Sequence, residues 1–226
     1  SFAALLGTDD RLVLPRVHAP RSTERVLAMT YVPSAPIETL AEADQATRDA
    51  AMEDLCGLVL RELFELGLMQ TDPNFANYRY DPASGRIVLL DFGATRAVST
   101  GIARDLCVLL RAGMAGSRQD VSACVAALDL VPETIAPVFR TRILDMIIRV
   151  FDELRGAPVL DLGTSDLARD LQRAGEALAR DGFVPAPVPM ELLYIQRKVA
   201  GMFLLASRLR ARIPVAALVA PFAEGS

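Results

Sequence analysis

Residues 70–93, QTDPNFANYRYDPASGRIVLLDFG, constrain this chain more than any other stretch. Asp72 is followed five positions later by Asn77, then by two short runs, Tyr78-Arg79-Tyr80 and 86–90, and then by Asp91-Phe92-Gly93. Both runs are rich in the aromatic and β-branched residues that favour strands. Between them, Asp81-Pro82-Ala83-Ser84-Gly85 supplies turn chemistry: Asp bonds backbone two residues on, Pro presets φ, and Gly accepts φ > 0. Strand, turn and strand make a hairpin, and a hairpin brings its two ends back to one place. Asn77 and Asp91 are therefore expected at one end of a small sheet, with Asp72 just before it. Carboxylate and amide oxygens are the hard donors that Mg2+ takes. An Asp-Phe-Gly or an Asp-Pro-Asn alone would be an ordinary turn; the two at this separation, with a hairpin between, carry the signal.

The flanking sequence is read from periodicity. Residues 44–66 place Met52, Leu55, Cys56, Val59, Leu63 and Leu66 three and four apart, the stripe of an amphipathic helix, with Gly67 suited to its end. That helix delivers the chain to Gln70. Before it, 12–17 and 25–31 read as strands around a polar turn at 21–24, and Pro33, Ala35 and Pro36 end the second. After Gly93, Ser99 or Thr100 caps a helix bearing Ile102, Leu106, Leu109 and Leu110. Ser117 opens the next, to Leu128, and Pro132 a longer one ending at Gly156. Ser165 caps a helix stopped at Gly182. Pro185, Pro187 and Pro189 lead into a last helix over 190–212.

Composition narrows the function classes. With 226 residues, 52% of them hydrophobic, the chain buries a sizeable core. A net charge of −4 argues against a nucleic-acid partner, whose phosphates are held by basic surfaces. His18 is the single histidine, which argues against a His-based metal site or a Ser-His-Asp triad. Cys56, Cys107 and Cys124 lie in apolar helical patterns without ligand spacing and read as buried free thiols in a reducing compartment. The longest uncharged stretch near the end, 213–223, is too short to span a bilayer.

Asp72, Asn77 and Asp91-Phe92-Gly93 resemble the catalytic loop and metal loop of protein kinases. More narrowly, TDPNFANYRYD, IVLLDFGATR and YIQRKVAGMFLLASRLRARIP resemble the UbiB/ADCK (aarF-domain) atypical kinases, over about residues 12–214. Gln70-Thr71 stand where ordinary kinases have His-Arg, a departure resembling the mitochondrial-type branch. The resemblance implies an α+β, mainly α, protein kinase-like fold: residual N-lobe strands and hinge over 1–35, and a helical C-lobe over 36–226. It further implies Asp72 as the base or orienting carboxylate, Asn77 and Asp91 as ligands of Mg2+, and ATP or ADP as the nucleotide. The adenine edge would meet backbone around Met29, Thr30, Tyr31 and Val32. The family's link to coenzyme Q biosynthesis implies quinone-precursor lipids and quinone-biosynthesis proteins as partners. The implied compartment is the bacterial cytoplasm, at or near the membrane, or the mitochondrial matrix.

Other family features have no match here. Neither a strand Lys, nor an Ala-rich phosphate loop, nor the family's K-x-G-Q motif precedes Asp72, and the only lysine is Lys198. The chain is therefore expected to begin inside the N-lobe, as a piece of a longer protein or a shortened one. Two readings follow: an atypical kinase or ATPase, or an N-lobe-deficient kinase-shaped scaffold with weak or no turnover. The short span from Gly93 to the next helix and the lack of Ala-Pro-Glu leave no docking platform for a protein substrate, which favours a small or lipid-like one. Aminoglycoside- or choline-type phosphotransferases fit less well, because Phe92-Gly93-Ala94-Thr95-Arg96 continues past the metal-loop Asp. In the last helix, Arg197, Lys198, Arg208, Arg210 and Arg212 beside Met202, Phe203, Leu204 and Leu205 suggest peripheral membrane contact as an alternative to core packing.

Overall fold

The computed structural model describes residues 2–6 and 9–223; the two chain ends used for the sequence-drawn domain limits, 1 and 226, lie outside them. A short helix α1 (Phe2–Leu6) is followed by β1 (Leu12–Val13) and β2 (Ala35–Pro36). Helix α2 (Gln45–Phe64) leads to β3 (Leu68–Gln70), the hairpin β4 (Tyr78–Asp81) and β5 (Arg86–Leu89), and then β6 (Thr95–Ala97). The remainder is α3 (Thr100–Ala115), α4 (Arg118–Ala127), α5 (Pro137–Gly156), β7 (Leu160–Asp161), α6 (Leu167–Arg180), α7 (Met190–Leu209), β8 (Arg212–Ile213) and α8 (Val215–Ala223). This is a mainly α, α+β architecture in which long helices carry the core and short strands carry the loops.

Capping chemistry sets most of the boundaries. The Asp44 carboxylate accepts from Thr47 N at 2.8 Å and starts α2, and the Ser99 and Ser117 hydroxyls accept from Ile102 N and Asp120 N to start α3 and α4. Met52, Leu55, Leu58, Val59 and Leu63 of α2 pack into one core with Leu192, Ile195, Met202, Leu205 and Leu209 of α7. The hairpin turns at Gly85, whose φ is +71°, and its register sets Tyr78 opposite Leu89 and Asp81 opposite Arg86. β1 joins this hairpin in parallel with β5, and β2 joins it antiparallel to β4, giving the order β1-β5-β4-β2. Pro36 lacks an N–H and so sits on the edge strand.

Four local expectations need correction. The stretch 12–17 is strand only over Leu12–Val13, and 25–31 forms no strand. Instead, 16–18 and 28–30 make an irregular hairpin through His18 N to Ala28 O (2.8 Å) and Thr30 N to Arg16 O (2.9 Å). Val17, Val26, Leu27 and Tyr31 stay exposed there, so their strand preference has no sheet face to pack on. The helix expected from Pro132 starts at Pro137: a proline inside it would remove a hydrogen bond and clash with the preceding turn, so Pro137 takes the first turn. The last helix ends at Leu209, not Arg212, because Arg210 turns left-handed (φ +50°) and Arg212–Ile213 pairs with Leu160–Asp161. The apolar stretch 213–223 then contains α8, whose Phe222 ring lies 5.1 Å from that of Phe64. Among the described residues no helix is long and apolar enough to cross a membrane.

Candidate functional site

Two strand pairings build the site. β3 and β6 run antiparallel, with Leu68 opposite Ala97 and Gln70 opposite Thr95. The pairing continues one step beyond β3, where Thr71 donates from its N–H (3.1 Å) and its hydroxyl (2.6 Å) to Ala94 O. Asp72 therefore leaves β3 beside the loop that holds Asp91. On the other side, Leu90 N donates to Asn77 O at 3.0 Å, which sets Asp91 one residue past the partner of Asn77. The sequence-predicted residues Asp72, Asn77 and Asp91 are thus brought to one end of the hairpin.

Side-chain bonds orient them. Asn77 Nδ2 donates to Asp72 Oδ2 at 2.9 Å, and Asn74 N donates to Asp72 Oδ1 at 3.2 Å. Asn74 also accepts from Ala76 N, making the short 3₁₀ turn Phe75–Asn77 that carries Asn77 inward. Asn77 is buried, Asp72 half-buried, and Asp91 exposed, with Oδ1 accepting from Gly93 N at 2.7 Å. The donor set fits Mg2+: committing the Asn77 amide nitrogen to Asp72 frees its carbonyl oxygen, and Asp91 adds an exposed carboxylate. Among the described residues no three His, Cys, Asp or Glu side chains cluster as a complete metal cage. A cation here would draw its other ligands from phosphate and water, as in kinases.

Behind this face lies a charged cluster that the sequence reading missed. Lys198 of α7 is 1% exposed, as is Glu62 of α2, and Lys198 Nζ stands 3.4 Å from Glu62 Oε2. Lys198 Nζ also donates to Gln70 Oε1 (3.0 Å) and to the Tyr78 oxygen (2.6 Å), while the Tyr78 hydroxyl reaches Gln70 Oε1 at 3.2 Å. Burial raises the Glu62 carboxyl, with Lys198 opposing that rise, and burial lowers the Lys198 ammonium, with Glu62 opposing it. Burial likewise pushes the Tyr78 phenol well above its ordinary range. Glu62 and Lys198 border, with Asn77 and Asp91, a cavity of about 10 Å³, room for about one water. A signal was present: Glu62 lies four residues after Leu58, and Lys198 three after Ile195 and four before Met202. Charged residues on the apolar stripes of two helices announce a buried pair.

Met29, Thr30 and Tyr31 are exposed on the irregular hairpin, where Thr30 Oγ1 lies 3.1 Å from His18 Nε2. Val32 O accepts from Ser34 Oγ, and Ser34 in turn meets Arg79 of β4. On α7, Met202 and Leu205 are core residues, Arg208 pairs with Glu38 at 3.0 Å, and Arg212 of β8 pairs with Asp161 at 3.1 Å. With Lys198 buried, the basic face expected on this helix is reduced to its outer residues. The three cysteines are unpaired and half-buried rather than buried, and an apolar setting pushes the Cys56 thiol up to about 12.

Two cavities flank α7. One, of about 340 Å³, is lined by Thr71, Arg96, Val98, Glu191, Tyr194 and Ile195 among others. The other, of about 220 Å³, is walled by apolar side chains, including Val59, Leu154, Leu167, Met202, Phe203 and Ile213.

Comparisons with known proteins bear on family and fold. The chain is 31% identical over 211 residues to the atypical kinase COQ8B, mitochondrial, of Danio rerio, covering 93% of this chain and 34% of that protein. It is 27% identical over 221 residues to the atypical kinase COQ8, mitochondrial, of Saccharomyces cerevisiae, covering 96% of this chain and 43% of that one. The chain thus spans between a third and a half of these relatives' lengths. In fold it superposes on Rv3197 of Mycobacterium tuberculosis, solved as a complex with erythromycin, with a TM-score of 0.79 and 21% identity over 99% of this chain and 56% of that one. The ABC1 atypical kinase-like domain family matches residues 1–125, the stretch that contains Asp72, Asn77 and Asp91, and the chain is a member of that UbiB/ADCK family of atypical kinases.

Proposed function

We propose that this chain carries the catalytic and metal-binding loops of an atypical kinase or ATPase that binds ATP or ADP with Mg2+. The observation that carries the reading is the convergence of Asp72, Asn77 and Asp91, with Asn77 Nδ2 bonded to Asp72 Oδ2 at 2.9 Å. Asn77 and Asp91 would hold the cation, which when bound neutralises charge on the phosphates. Asp72, half-buried and already oriented by Asn77 and Asn74, would orient an acceptor hydroxyl or water and take its proton. Backbone from Met29 to Val32 would meet the adenine edge.

The acceptor is a small or lipid-like molecule rather than a protein. The 340 Å³ cavity supports this, since it is lined by Thr71, the residue before Asp72, and falls in the size range of small-ligand pockets. The 220 Å³ apolar cavity offers room for hydrocarbon. Similarity to mitochondrial COQ8 proteins supports a role in coenzyme Q biosynthesis, with quinone-precursor lipids and quinone-biosynthesis proteins as partners and the mitochondrial matrix or bacterial cytoplasm as the setting. Peripheral membrane contact would rest on the exposed Arg197 and Leu204 of α7.

The test is calorimetric titration of ADP into the protein with Mg2+ and with EDTA, beside Asp91→Asn. Mg2+-dependent binding that Asp91→Asn abolishes supports the reading. Absence of such binding in the chain and in forms extended on either side refutes it and leaves a kinase-shaped scaffold.

A further inference from the structure

We propose that Lys198 is a positioning residue, whose ammonium ties together the two ends of the catalytic loop and so sets the placement of Asp72 and Asn77 from helix α7. The proposal rests on the functional reading above and deepens it. Gln70 is the last residue of β3 before the loop, and Tyr78 is the first of β4 after it. Lys198 Nζ bonds both, at 3.0 and 2.6 Å, and faces Glu62 Oε2 at 3.4 Å. An ammonium has three donors; two of them meet the oxygens at the loop's ends, and the charge is balanced by Glu62 of α2 at ion-pair distance.

A second contact places α7 against the loop itself. Gly201, one turn beyond Lys198, lies so near Pro73 that a Cβ there would stand 2.5 Å from Pro73 Cβ. Lys198 and Gly201 thus grip residues 70, 73 and 78 from one face of α7, and Asp72 and Asn77 are inside that grip. Both are buried within the apolar stripe of α7 formed by Leu192, Ile195, Met202, Leu205 and Leu209, which Lys198 interrupts with a charge. An apolar side chain at 198 facing another at 62 would continue that stripe, and such replacements of buried ion pairs are often neutral or stabilising. A charged pair retained beneath a catalytic loop is explained by what it holds.

Two variants test this in the protein as its gene encodes it. Lys198→Met with Glu62→Leu removes the pair without stranding a buried charge, and Tyr78→Phe removes one of the two loop anchors while leaving the pair intact. The readouts are the melting temperature and the ratio of ADP dissociation constants in EDTA and in Mg2+. A purely structural role would not move that ratio in a protein that melts normally. The double variant is expected to lower the ratio about tenfold, the scale at which residues supporting metal ligands act, and Tyr78→Phe to lower it less, with folding retained. An unchanged ratio in either folded variant overturns the proposal; should the double variant fail to fold, Tyr78→Phe decides. Wild-type protein without a Mg2+ effect refutes the functional reading itself, which separates that failure from failure of the clamp.

Discussion

Replacing glycine by alanine inside a helix normally stabilises it, by about 0.5–1 kcal/mol, because alanine loses less backbone freedom on folding. The structure separates two glycines that such a rule would treat alike. Gly175 lies inside α6 with nothing within 4 Å of an added Cβ, so Gly175→Ala is expected to gain the full amount. Gly201 lies inside α7, but an added Cβ would stand 2.5 Å from Pro73 Cβ, 3.5 Å from Pro73 Cα and 3.6 Å from Pro73 O. The first distance is about 1 Å inside the optimal carbon–carbon separation. Pro73 is a ring fused to the backbone and cannot swing aside, so the 71–77 loop or the helix must move. Overpacking of this kind costs about 1–3 kcal/mol, which cancels or exceeds the helix gain. The two variants should therefore differ by about 1–3 kcal/mol, or roughly 2–12 °C in melting temperature for a chain of this size. Urea denaturation of both beside wild type measures the difference. The displaced loop carries Asp72, so Gly201→Ala should also weaken Mg2+-dependent ADP binding while Gly175→Ala leaves it intact. If Gly201→Ala stabilises as much as Gly175→Ala, α7 does not lie against Pro73 and the reasoning fails.

Asp9 and Gly113 provide two further tests. The side-chain hydrogen bond from Arg11, aided by Arg61, holds the Asp9 carboxyl at about 2 instead of 3.8. A carboxyl lowered on folding stabilises above its unfolded value and loses that contribution as pH falls through the folded one. About 2 kcal/mol should be lost between pH 5 and pH 1, and Asp9→Asn should remove that pH dependence, read from urea midpoints across the range; parallel curves would refute it. At Gly113 of α3, a Cβ would stand 2.2 Å from the Phe151 ring of α5, so Gly113→Ala should destabilise by about 1–3 kcal/mol despite the gain in helix propensity. A rise in melting temperature would show that α3 and α5 are farther apart than described.

Local chemistry made much of this protein legible in its sequence. The Asp81-to-Gly85 turn, the caps at Ser99 and Ser117 and the stop at Gly182 act within a few residues of themselves, and the structure has each where the spacing puts it. The hairpin follows from the same local rules, and with it the meeting of Asn77 with Asp91. What failed was decided by partners distant in sequence. Strand preference in 25–31 found no sheet to join, while Leu12–Val13 found β5 in parallel. The last helix stopped three residues early because Arg212–Ile213 pairs with Leu160–Asp161. Of the two settings open for Lys198, a basic outer face or core packing, contacts across 128 residues to Gln70 and 120 to Tyr78 select the second. Hydrogen bonds and caps are short-range and leave their mark in spacing. Burial depends on which helix faces come together, and only the packing of α7 on α2 and the 71–77 loop made Lys198 the charge behind the candidate site.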